Sequence, residues 1–113
     1  MTITESIRDI LSRRKSINPE WADGISACWK EEIRILSKSP EDTVSYLRDD
    51  CSDEELYLLG EIFEDVIAAT KSSEILTAMK DRIESVKDLE KKQSLLQDFA
   101  YAAGALITIV DEL

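Results

Sequence analysis

Apolar residues recur at three- and four-residue intervals along most of this chain, and nowhere do they alternate convincingly with polar ones. A repeat near 3.6 residues is the mark of amphipathic helices, whereas strands repeat every two. The β-branched run Ile107-Thr108-Ile109-Val110 is the one candidate strand, and it lies within a longer helical register. The chain is therefore expected to be all-α, one domain over residues 1–113, folded as a compact antiparallel bundle or array of five to six helices.

Start and stop signals divide it. Thr2 or Thr4 caps a first helix running to about Lys15, with Ile3, Ile7, Ile10 and Leu11 on one face. Its end, Arg13-Arg14-Lys15, suits the negative pole of a helix dipole. Asn18-Pro19-Glu20 opens a second helix, with Asn as cap and Pro at the first helical position. Trp21, Ile25, Cys28, Trp29, Ile33 and Leu36 form its apolar stripe. Gly24 weakens that helix by about 1 kcal/mol relative to Ala. Ser39-Pro40 opens a third, with Val44 and Leu47 inward and Tyr46 at the edge.

Cys51-Ser52-Asp53-Glu54-Glu55-Leu56 is the strongest start in the chain. Ser52 caps, Glu55 completes a capping box, and Cys51 and Leu56 hold the staple positions. That fourth helix is expected to run unbroken to about Thr70. A fifth follows Ser72, with Ile75, Leu76, Met79, Ile83 and Val86 inward. A last one starts near Asp88, with Leu89, Leu96, Phe99, Ala103, Leu106, Ile107 and Val110 as its buried stripe.

The residue types exclude much chemistry. There is no histidine, hence neither the commonest general base nor the commonest metal ligand. Cys28 and Cys51 lack zinc-site spacing and read as core residues of a chain in a reducing cytoplasm. No glycine-rich phosphate loop is present, and the acidic run at Asp49–Glu55 lacks the glycine of an EF-hand loop. No catalytic, cofactor-binding or metal residues are expected, and the chain is not expected to be an enzyme. No apolar run reaches the ~18 residues of a membrane span. The first residues lack the basic start and apolar core of a signal peptide, so a cytoplasmic location is expected.

The net charge is −10, which opposes nucleic-acid binding and attracts basic partners. Most of the excess lies in one segment. Residues 41–65 hold ten acidic groups against Arg48 alone. On a continuous fourth helix, Leu56, Leu59, Phe63, Val66 and Ile67 share one face, with Glu54, Glu61 and Asp65 opposite and Glu64 beside them. Tyr57 and Leu58 fall among these carboxylates and are expected to be exposed, as an apolar centre with a charged rim. Charge runs often mark nothing more than a solvated helix face. Here the imbalance is of one sign, whereas a merely soluble face mixes Lys with Glu.

The segment also resembles a family. Leu47, Cys51-x-x-Glu54-Glu55-Leu56, Glu61-Ile62-Phe63-Glu64-Asp65-Val66 and Thr70-x-Ser72-x-Glu74-Ile75-Leu76 are similar to small helical immunity proteins of bacterial contact-dependent growth inhibition and related polymorphic toxin systems. The likeness covers about residues 36–80. Lys80-Asp81-Arg82-Ile83 stands where members often continue with a basic-Tyr-Pro element. The resemblance implies a protein that binds and blocks the toxin domain of its own system in the cytoplasm, a nuclease with a basic cleft being the expected class.

The expected contacts are Glu54, Tyr57, Leu58, Glu61, Glu64 and Asp65, with Asp49, Asp50 and Asp53 at the rim. The chain is expected to be a monomer or weak dimer. Two other readings stand beside this one. One is a helical adaptor without a toxin partner, using the small-residue patch around Gly104. The other, disfavoured by the charge, is a nucleic-acid binder using Arg13-Arg14-Lys15.

Overall fold

Four of the local start signals are realised as caps in the computed structural model, which describes residues 2–111, and their side chains as far as Leu106. Thr2 accepts the backbone N–H of Glu5 at 3.1 Å and opens α1 (Ile3–Ser16). Ser52 accepts from the Glu55 N–H at 3.1 Å, while the Glu55 carboxylate accepts from the Ser52 N–H at 3.0 Å. This capping box opens α4 (Asp53–Leu59). Ser72 accepts from the Ile75 N–H and opens α6 (Ser73–Glu84). Asp88 accepts from the N–H groups of Glu90 and Lys91 and opens α7 (Leu89–Asp111). Each bond satisfies a donor that a helix start otherwise leaves unpaired.

The remaining elements are α2 (Ala22–Lys38), α3 (Pro40–Ser45) and α5 (Phe63–Thr70). The second start was misplaced. Asn18 does accept a backbone N–H, but from Glu20, which closes a turn, and α2 begins only at Ala22. Trp21 therefore precedes the helix and is 60% exposed, its ring lying over Gly24. Pro40 is the first residue of α3, as expected. A wide turn over Tyr46–Asp50 follows, in which the Cys51 N–H reaches back to the Tyr46 carbonyl. Tyr46 is fully buried, not at the edge, because this turn rolls its ring under α1 and α6.

The fourth helix is not continuous. It tightens at Gly60–Ile62 into a 3-10 turn before α5 resumes. The apolar stripe survives the break: Leu56, Leu59, Phe63, Val66 and Ile67 are all buried, and Ile62 joins them. Counting α4 and α5 as one broken rod, the chain forms six helices, with no strand among the described residues. Their inner faces merge into a single core, and the radius of gyration is 13.5 Å.

The last helix departs from its expected register. Leu95 and Ala102 are buried and Phe99 and Leu106 partly so, whereas Leu89 and Leu96 face solvent. The backbone at residues 107–110 is helical, and the expected burial of Ile107 and Val110 lies outside the described side chains. The α5–α7 contact is the most extensive between helices. A Cβ on Gly60 would fall 2.4 Å from the Asp98 carboxylate and 3.1 Å from a Leu95 methyl, so the absence of a side chain there leaves room for these two side chains of α7.

Replacing Ser52 with Ala removes one half of the capping box. We expect a loss of about 1 kcal/mol, read as a lower urea midpoint with unchanged slope.

Candidate functional site

The acidic segment does not form one patch. Its carboxylates divide according to which basic side chains other helices bring to them. From α1, Arg8 bonds Glu55 at 2.9 Å, Arg14 bonds Glu61 at 3.1 Å, and Lys15 bonds Glu54 at 2.5 Å. From α6, Arg82 bonds Asp53 at 2.5 Å and also donates to the Cys51 carbonyl, tying α6 to the start of α4. Arg8 and Glu55 raise the guanidinium pKa through their hydrogen bond, and Lys15 holds the Glu54 carboxyl below its ordinary range.

Three of the nine expected contact residues, Asp53, Glu54 and Glu61, are thus ion-paired within the chain. Leu58 is not exposed as expected. It packs against the core and lines a groove of about 440 Å³ between α1 and α4. Arg8, Lys15, Glu54 and Glu55 line the same groove, so its charge is mixed. Asp49 and Asp50 lie on the wide turn, which packs chiefly on α1, α3 and α6. Asp50 accepts a hydrogen bond from Thr4 and its carbonyl one from Arg8, whereas Asp49 is exposed without an ion pair.

That leaves Tyr57, Glu64 and Asp65. Tyr57 is 42% exposed, and the Lys91 ammonium sits 5.4 Å from its ring centre, a cation–π distance. Glu64 and Asp65 are exposed in the first turn of α5, and no cation among the described residues pairs with either. Ala68 and Ala69, one turn on, are also exposed, so nothing bulky shields the two carboxylates from that side.

Glu61 has a different role from the one its position suggested. The 3-10 turn directs it to α1 and α2, where it accepts from Arg14 and, at 2.5 Å, from the Trp29 indole N–H. Beside it lies Glu32 of α2, which the sequence did not single out. Glu32 is fully buried, and neither of its carboxylate oxygens has a hydrogen-bond partner. Burial, then the charge of Glu61, raises its pKa to about 7, against a smaller opposing pull from Arg14. Asp98 of α7 is raised for the same two reasons, burial first. Its amphipathic spacing gave no hint of this, since an acidic residue on an otherwise mixed helix face is ordinarily solvated. No set of side chains among the described residues is arranged to hold a metal ion. No described helix is long and apolar enough to cross a membrane.

Glu32 makes stability depend on pH with a definite sign. The native state retains a proton that the unfolded chain releases near its ordinary value of 4.5. Stability from this group is therefore greatest below pH 4.5, falls as pH rises to about 7, and is flat above it. Glu32→Gln removes the titration. We expect a gain on the order of 2 kcal/mol at pH 8 and little at pH 4.5, from urea unfolding at both values.

No family model matches the chain, and no characterised protein or solved structure is similar to it.

Proposed function

We propose that this protein acts by binding a basic partner protein and blocking it, as the immunity proteins it resembles do with their toxins. The observation that carries the reading is the pair Glu64 and Asp65. The chain matches Asp53, Glu54, Glu55 and Glu61 with its own cations, yet leaves these two neighbouring carboxylates exposed and unpaired. Unpaired like charges on one helix repel each other, and beyond a modest interaction with the helix dipole they give the fold little in return. They do raise the association rate with a basic surface, and they become paired when it docks.

The partner class that suits this surface is a toxin domain with a basic, phosphate-holding cleft, a nuclease first among them. Occlusion of such a cleft requires no chemistry from the inhibitor, which agrees with a chain lacking histidine. Tyr57, with an exposed edge and a flanking Lys91, supplies an aromatic contact near the start of the same rod. Glu54 and Glu61 contribute indirectly, by holding α1 against that rod.

The test is to look for a small basic toxin domain encoded beside this chain and, with that domain in hand, to co-express the two and measure binding. The native chain is expected to protect the cell and to associate more slowly as salt rises. Glu64→Lys with Asp65→Lys is expected to weaken binding at least tenfold, mainly through the association rate, with the fold intact by circular dichroism. Undiminished binding by that variant would rule out α5 as the contact surface. Glu61→Lys is unsuited to the purpose, since it also breaks the contacts to Arg14 and Trp29.

A further inference from the structure

The outer face of α7 is unlike the rest of this surface. About a third of the chain is charged, yet the exposed positions of α7 from Gln93 to Gly104 carry no charge. The one charged residue in that stretch, Asp98, is half-buried against Gly60. Leu89 is 73% exposed and Leu96 41%, and neither contributes to the core.

These residues are also ordered. Leu89, Gln93, Leu96, Ala100 and Ala103 follow one another at intervals of four, three, four and three. That is the spacing of the seam by which one helix packs along another in a coiled coil. The core-facing residues Leu95, Phe99, Ala102 and Leu106 form a second stripe, about 110° away around the helix. So α7 carries one apolar stripe for its own fold and another, largely apolar, that its own fold leaves exposed at Leu89, Gln93, Leu96 and Ala100 and half-buries at Ala103. The shift from the expected register is the visible result: the periodicity at Leu89 and Leu96 belongs to the outer stripe.

We propose that the outer stripe pairs with the same stripe of a second copy, the two α7 helices lying antiparallel across a two-fold axis. Charge selects this occupant. Two chains of net charge −10 repel wherever carboxylates meet, and from Gln93 to Gly104 the seam is a face on which identical copies approach without opposing them, Glu90 lying outside that stretch. A basic partner, by contrast, finds nothing to pair with on it. Side-chain size selects the direction. In an antiparallel pair centred near Asp98, Leu96 of each copy faces Ala100 of the other, and Gln93 faces Ala103, so large residues meet small ones. A parallel pair would stack Leu96 on Leu96 and bury Gln93 against Gln93. Antiparallel helix dipoles add in the same sense.

The seam is short. From Leu89 to Ala103 it spans about 21 Å at 1.5 Å per residue, and a contact of that length buries on the order of half the ~800 Å² per partner of a standard stable interface. The dimer is therefore weak, with a dissociation constant on the order of 0.1 mM.

Sedimentation velocity from about 10 µM to 1 mM tests this. The mean mass is expected to rise from 12.8 kDa towards twice that value. Leu96→Glu, at a solvent-facing position, is expected to hold the chain monomeric throughout. Gln93→Leu replaces the polar seam residue and is expected to tighten the dimer about tenfold, a gain that misfolding does not mimic. Mixing Leu96→Cys with Ala100→Cys chains is expected to form the mixed disulfide in preference to either like pair, the native Cys28 and Cys51 being buried. A monomer at 1 mM, or self-association that survives Leu96→Glu, would overturn the proposal. Preferential like-pair cross-links would overturn the antiparallel arrangement.

Discussion

Gly60 and Glu61 occupy the point at which α1, α2 and α7 meet the broken α4–α5 rod. Two physical demands coincide there. The missing side chain of Gly60 lets α7 close on the rod at Leu95 and Asp98. The 3-10 turn that begins at Gly60 directs Glu61 to Arg14 and Trp29 on the other side. A straight α-helix through this point would place Glu61 opposite the apolar stripe, in solvent, and α1 and α2 would lose their shared polar anchor. Arg14 and Glu61 are each only about a quarter to a third exposed, so this pair is screened less than the chain's outer ion pairs. Glu32, with no partner for its oxygens, is buried at the same junction and is accommodated by remaining protonated near neutral pH.

The ion pairs radiating from this junction change the meaning of the acidic segment. Taken alone, residues 41–65 would repel themselves. Folded, α1 serves as their counterion, through Arg8, Arg14 and Lys15. Each exposed pair contributes little, in the range of 0–1 kcal/mol. Their joint effect is to fix which carboxylates are paired inside the chain and which stay exposed. Glu41, Asp42 and Asp49 also stay exposed, and Glu64 and Asp65 do so because α5 lies beyond the reach of α1, packed between α2 and α7.

What could be read in advance was what is local. Caps at Thr2, Ser52, Ser72 and Asp88 involve residues two or three apart, and the apolar period of the fourth helix persists through its break. The break itself was hidden for that reason: Leu59, Ile62 and Phe63 stay buried whether the turn between them is α or 3-10. The pairs that divide the acidic segment join residues 39 and 47 apart, and no spacing rule reaches that far. Arg14 and Lys15 were explicable as partners of the helix dipole, so nothing in the sequence asked for a second role. In α7 the difficulty was the reverse. Two apolar stripes overlap in one helix, and periodicity gives a spacing without saying which stripe meets the core.

The two proposed surfaces belong to helices, α5 and α7, that pack on each other more extensively than any other pair among the described residues. They differ in what they attract. On the reading proposed above, the carboxylates of α5 would act over about a Debye length on a basic protein, whereas the uncharged seam of α7 would act only on contact. A weak dimer formed through α7 sets two α5 helices, each with its Glu64 and Asp65, on one assembly. At low concentration the single copy presents one acidic site. At high concentration the paired copies present two, and a basic partner large enough to touch both is held by a second, intramolecular contact at an effective concentration far above its concentration in solution. If both proposals hold, affinity for a basic protein would rise with the concentration of this chain itself, although no residue in the α5 surface changes.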